Sequence, residues 1–229
     1  MGKRGDGYGS EDHLRNYLAK SPHSLTAAVA TELGADPSSI QWLPYPATVH
    51  GDREYRALEF LPAETRNRLR TDWSRFWPQR GHQQSWDAIG LAGDDWLLVE
   101  AKASWPEFCT PPTTATSKGL HMIEAALAKV RRDLGVSRWL RWTGSYYQYA
   151  NRLATLWFLR SHGIAARLVF VYFVGDRFPD GAPCPGTEGE WDALIEARRL
   201  TLGLPPEHGL TPYEHHVFLP ALKTGPAKP

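Results

Sequence analysis

Two apolar runs constrain this chain more than any other part of it. They are Trp86-Asp87-Ala88-Ile89-Gly90-Leu91 and Trp96-Leu97-Leu98-Val99-Glu100-Ala101-Lys102, joined by Ala-Gly-Asp-Asp. The junction has turn chemistry, so the segment reads as a β-hairpin with arms over 85–91 and 96–103. Leu97-Leu98-Val99 is apolar at successive positions, which is the pattern of a strand covered on both faces. Three charged residues, Asp87, Glu100 and Lys102, sit at the ends of these runs. An unpaired buried ion costs several kcal/mol or shifts its pKa, so these three require partners.

Glu100 and Lys102 are two apart on a strand and leave the same face, and Asp87 lies across the turn within pairing distance. A hard divalent cation with a phosphate would satisfy such a set, because Mg²⁺ takes carboxylate oxygens and keeps waters for a substrate. A lysine beside it can orient or deprotonate an attacking water, or balance charge developing on the phosphate. On an exposed edge strand the same residues would form a surface ion pair of little energetic weight. The continuous apolar run before Glu100 argues for the buried alternative.

The remaining pattern supplies helices to cover such a sheet. Acids at 11 and 12 open a helix capped by Ser10, and a second, over 24–33, stops at Gly34. A short strand over 40–43 lies among prolines. Helices are predicted over 62–76, 117–134, 146–162 and 188–202, with strands over 166–174 and 215–219. The 166–174 strand is the most hydrophobic and is expected at the sheet centre. The fold class is therefore α/β, a mixed central β-sheet flanked by helices on both faces. The expected organisation is an N-terminal helical extension over 1–40, an α/β core over 41–220 and a tail over 221–229.

Composition excludes several classes. The 229 residues are 42% hydrophobic and 22% charged, ordinary for a globular protein. Two cysteines, Cys109 and Cys184, are too few for a disulfide framework and are not spaced as metal ligands. No apolar run approaches membrane-spanning length and the polar start lacks a signal-peptide core, so a cytoplasmic location without membrane attachment is expected. There is no nucleotide-binding glycine loop. Cys109 has no obvious base, and His121, His215, His216 and His82 are weak candidates for ligands; His215 and His216 should point to opposite faces.

The net charge of +1 gives no global attraction to polyanions. Locally, however, arginines alternate with aromatics in two stretches. One holds Arg66, Arg68, Arg70, Trp73, Arg75, Phe76, Trp77 and Arg80; the other holds Lys129, Arg131, Arg132, Arg138, Trp139, Arg141 and Trp142. Arg75, Arg80, Arg131 and Arg132, with Arg152, are the candidate nucleic-acid contacts; a solvated helix face with core tryptophans is the competing explanation. On the 146–162 helix, Gln148 and Arg152 are four apart and share a face. They could orient Lys102 or meet a phosphate, or merely solvate the helix's first turns.

Asp87 on one arm and Glu100-Ala101-Lys102 on the other, followed by a helix and an apolar strand, resemble the core of the PD-(D/E)XK nuclease superfamily over roughly residues 80–180. Trp86 stands where that motif often has proline. The resemblance implies a restriction-endonuclease-like fold and a Mg²⁺-dependent (or Mn²⁺-dependent) deoxyribonuclease. Metal ligands would be Asp87, Glu100 and the Ala101 carbonyl, with Lys102 at the nucleophile and Gln148 lining the site. A further acid that many members carry could be Glu11, Glu54, Glu59, Glu64 or Glu107. The implied partner is nucleic acid, DNA in preference to RNA. The alternatives are a non-catalytic nuclease-fold module that binds nucleic acid or protein, and an enzyme acting on small phosphoesters.

Overall fold

The computed structural model describes residues 7–49, 51–81 and 83–222. His82, much of the expected tail and the first six residues lie outside the described residues. In chain order the elements are α1 (Ser10–Lys20), α2 (Pro22–Leu33), β1 (Ile40–Trp42), β2 (Ala47–Thr48), β3 (Gly51–Asp52) and β4 (Tyr55–Arg56). Then come α3 (Ala63–Phe76), β5 (Ser85–Trp86), β6 (Ala88–Ala92), β7 (Asp95–Lys102) and the single turn α4 (Trp105–Phe108). They are followed by α5 (Ser117–Asp133), α6 (Tyr147–Ser161), β8 (Ala166–Val174), α7 (Glu188–Leu202) and β9 (Glu214–Pro220).

A five-stranded mixed sheet runs in the order β1-β6-β7-β8-β9. β1, β6 and β7 are antiparallel neighbours, and β8 and β9 continue parallel to β7. Parallel neighbours need long crossovers, which α5, α6 and α7 supply. Because β8 and β9 are added in one direction, crossovers of one hand must lie on one face of the sheet. That face carries Leu98, Leu168, Phe170 and Tyr172 against Leu127, Leu153, Leu156 and Trp191.

The opposite face is covered by α1 and α2. Their Leu14, Tyr17, Leu25 and Val29 pack on Leu97, Val99, Val169, Val171 and Val217. The first two helices thus form a layer on this face of the sheet. Without them the apolar side of β7 and β8 would be open to water, at a cost of about 25 cal/mol per Å² exposed. Among the described residues no helix is long and apolar enough to cross a membrane.

One local feature departs from the sequence reading. The first arm of the hairpin breaks at Asp87: β6 continues in the sheet, while β5 swings out to pair with β4. The Asp87 backbone stays tied to the sheet, its N–H donating to the Val99 carbonyl at 3.1 Å. Gly90, in contrast, is required where it stands. A Cβ there would lie 2.9 Å from the Trp42 ring, whose indole N–H donates to Thr26 Oγ1 and so ties β1 to α2.

Candidate active site

The charged ends of the hairpin meet at the carboxyl end of β7, beneath the start of α6. Glu100 and Lys102 share the face of Leu98, so both project toward α6 rather than toward α1 and α2. Glu100 is 2% and Lys102 8% exposed, which rules out the exposed ion pair. Lys102 Nζ donates to Glu100 Oε1 and, at 2.8 Å, to Gln148 Oε1. Gln148 sits in the first turn of α6, where its own N–H donates to Thr110 Oγ1 at 3.1 Å. The helix face that the spacing of Gln148 and Arg152 defines is therefore the one aimed at the strand.

Arg152 occupies the other side of Glu100. Its Nε and Nη2 lie 2.8 and 2.7 Å from Glu100 Oε2, and Nη2 also donates to the Ser85 carbonyl at 2.5 Å. Its guanidinium stands 4.6 Å from the Trp86 ring centroid. At 3% exposure Arg152 is a buried cation of this cluster and is not open to a duplex, as a nucleic-acid contact would have to be. The helix face it shares with Gln148 is the one the spacing defines, but that face is turned into the fold.

Asp87 approaches from across the hairpin. The Ala101 N–H donates to Asp87 Oδ2 at 2.6 Å, which orients the carboxyl at the middle residue of the Glu-Ala-Lys run. Tyr45 fixes the backbone from outside, its hydroxyl donating to the Asp87 carbonyl at 2.6 Å. Tyr45 is in turn covered by the Arg15 guanidinium, 4.1 Å from its ring centroid. Tyr45 carries no sequence signal, since the 43–54 segment has no periodicity.

Electrostatics separate the two carboxylates. Burial alone would raise Glu100, but Arg152 and Lys102 outweigh it and hold the carboxyl below its usual range. Asp87 is pushed well above its usual range, first by burial and then by the charges of Glu100 and Glu54, with Lys102 and the Ala101 N–H offsetting part of the rise. Glu54 is raised too, by burial and by Glu11 and Glu100, against the pull of a Ser85 hydrogen bond and Arg15. Of the five acids left open by sequence, Glu54 is thus the one whose charge acts on Asp87 and which is acted on by that of Glu100.

The other candidates are accounted for elsewhere. Glu107 is buried as a joint, accepting the Ala103 N–H at 2.8 Å and the Ser10 N–H at 3.4 Å. Glu11 pairs with Arg15 at 3.1 Å, and Glu59 with Arg53 at 2.6 Å. Glu64 lies in the first turn of α3. Arg75, Arg80 and Arg132 are exposed, and Arg131 is half-buried. Trp73, Trp77 and Trp142 turn into the core, whereas Trp139 is 78% exposed with the Arg138 guanidinium 4.5 Å from its centroid. His215 faces Glu32 of α2, and His216 stacks on Phe170 and Tyr172 on the other side of the sheet. Cys109 Sγ contacts the Tyr146 hydroxyl at 3.7 Å.

Among the described residues no three carboxylate, imidazole or thiol groups are drawn together as a metal cage. The donor chemistry nonetheless fits Mg²⁺, which is bound through one or two carboxylates plus substrate oxygens and water, not through a closed protein cage. Asp87, whose carboxyl burial and then the charges of Glu100 and Glu54 push upward, is the kind of group a cation would hold ionised. No protein-family model, curated protein or solved structure matches this chain.

Proposed function

We propose that this chain is a divalent-metal-dependent nuclease of the PD-(D/E)XK type, hydrolysing phosphodiester bonds of DNA. The observation that carries the reading is the grip on Lys102. A buried lysine at the end of a strand is held between Glu100 and Gln148, one residue from a backbone N–H bonded to Asp87. The strand order, an antiparallel hairpin followed by a helical crossover to a parallel strand, supports a restriction-endonuclease-like core.

Asp87, Glu100 and the Ala101 carbonyl would hold Mg²⁺ or Mn²⁺. When bound, the ion would polarise the phosphoryl oxygens and lower the pKa of a water beside it. Lys102 supplies a positive charge and N–H donors at the point where water attacks phosphorus and the bond to the leaving sugar oxygen breaks. Gln148 keeps Nζ from turning wholly toward Glu100. Arg152 neutralises Glu100 from behind and fixes its carboxylate plane through the two nitrogens that face Oε2.

One feature favours a second reading, a non-catalytic nuclease-fold module that binds nucleic acid or protein. Glu100 is engaged on both oxygens by cations of the chain itself, which a structural ion cluster would also display. A cleavage assay on plasmid, linear duplex and single-stranded DNA and on RNA, with Mg²⁺, Mn²⁺ or EDTA, separates the two. The nuclease reading expects metal-dependent DNA cleavage that Asp87→Ala and Lys102→Ala abolish while the fold persists. Cleavage at the wild-type rate by either variant, or none by the wild type, would overturn it.

A further inference from the structure

The arginines of α3 do not form one patch. Arg66 and Arg70, four apart and therefore on one helix face, line an open groove of about 570 Å³ together with Trp73 and Arg56. Arg75 belongs to a separate groove with Lys129 and Trp157. Charge in the first groove is one-sided. Its single lining acid, Glu59, is taken up by Arg53 at 2.6 Å and by the Arg56 N–H at 3.0 Å. Arg70 donates one N–H to Asn67 Oδ1. Among the described residues neither Arg66 nor Arg70 is ion-paired.

This groove is built onto the segment that delivers Asp87. Arg56 pairs with Ser85 in the two-stranded β4–β5 ribbon. Ala57, in the groove wall, donates its N–H to the Gln84 carbonyl at 2.8 Å and accepts the Trp86 indole N–H at 2.9 Å. A ligand seated against Arg56 and Ala57 is therefore one strand away from the residue preceding Asp87. Planar guanidinium groups suit phosphate oxygens, which they can meet with two parallel hydrogen bonds. Three of them facing a groove without a free carboxylate are complementary to a chain of phosphates.

We infer that the groove lined by Arg56 and the Arg66–Arg70 face of α3 seats the phosphodiester backbone of the DNA that enters the Asp87–Lys102 site. The inference rests on the nuclease reading for its occupant but not for its geometry. It adds Arg56, Arg66 and Arg70 to the contacts and separates them from Arg75, which faces another groove.

The test is equilibrium binding of a fluorescently labelled DNA duplex, and of its single strand, in EDTA over a range of salt. Wild type is compared with Arg66→Gln/Arg70→Gln and with Lys20→Gln, an exposed cation at the end of α1. The double variant should bind at least about tenfold more weakly. Its slope of log affinity against log salt should be shallower by about two for the duplex, as expected for two lost phosphate contacts. Lys20→Gln should behave as wild type. Wild-type affinity and slope in the double variant would overturn the groove, whether or not the protein cleaves DNA. Groove-dependent binding without metal-dependent cleavage would keep the groove and remove the nuclease reading. A wild type that binds neither probe would overturn both.

Discussion

The Gln148 amide oxygen accepts a hydrogen bond from the Lys102 ammonium at 2.8 Å, joining the first turn of α6 to the last residue of β7. This bond sets which way Nζ points, because Glu100 Oε1 competes for the same group. Gln148→Ala should leave Lys102 paired with Glu100 alone and turned away from a substrate. The expected loss is about ten- to a hundredfold in kcat, the usual range for a group that orients a site residue. KM for DNA and the circular-dichroism spectrum should be unchanged. A variant that loses affinity instead would make Gln148 a substrate contact.

Arg152 should matter chiefly to stability. Removing one partner of a buried ion pair leaves the other charge uncompensated, at about 3–5 kcal/mol. Arg152→Ala also frees the Ser85 carbonyl and uncovers one face of Trp86. Arg152→Lys should recover only part of the loss, because a point charge cannot meet Glu100 and Ser85 together as a guanidinium does. Urea denaturation of the three proteins measures this. Equal midpoints for Arg152→Ala and wild type would show that Glu100 is not held charged by Arg152.

What could be read in the sequence follows from where periodicity is strong. Leu97-Leu98-Val99 identified a doubly covered strand, and the four-residue spacing of Gln148 and Arg152 identified one helix face. The same spacing joins Arg66 to Arg70 and excludes Arg75, although composition alone merges them into a single basic stretch. Tyr45 was beyond reach and Glu54 could not be singled out among five acids, since both lie in an aperiodic segment that only the tertiary fold brings to Asp87. The burial of Arg152 was equally hidden, because it depends on Glu100 being buried first. α1 and α2 carry Leu14, Tyr17, Leu25 and Val29 at helical spacing. Their role as a layer became definite only with the sheet face they cover.

Acid sensitivity should begin near the histidine range. Burial, with Arg198 and His215 nearby, lowers His216 from 6.5 to about 3. Burial and Arg167 lower His215 to about 4, with Asp95 acting the other way. Both are neutral in the fold and take up protons on unfolding. Their stabilising contribution is thus complete above 6.5 and is lost as pH falls toward the folded values. Around His216 lie Arg198, Glu214 and Tyr172. Glu214, raised by burial, has the opposite sign, its contribution being largest below 4.5 and lost as pH rises. Denaturation midpoints should decline from pH 6.5 downward, and His215→Gln/His216→Gln should flatten that decline. An unchanged slope would assign the acid sensitivity to carboxylates.

Glu54 allows the charge cluster itself to be tested. Its negative charge pushes the Asp87 carboxyl up, and the charge of Glu100 pushes up its own. Without a cation, removing this charge relieves repulsion. Glu54→Gln should therefore raise the melting temperature in EDTA at a pH where Asp87 is ionising. With Mg²⁺ or Mn²⁺ the order reverses: one fewer negative charge weakens the ion's attraction, so the stabilisation gained on adding metal should shrink. Asp87→Asn should show the same two effects more strongly, because Asp87 is itself a ligand in the proposed site. Melting curves of the three proteins with EDTA and with saturating Mn²⁺ give both quantities. A Glu54→Gln protein that melts like wild type under both conditions would place Glu54 outside the cluster. If all three gain nothing from metal, the carboxylates are a structural ion network, and the non-catalytic reading is the correct one.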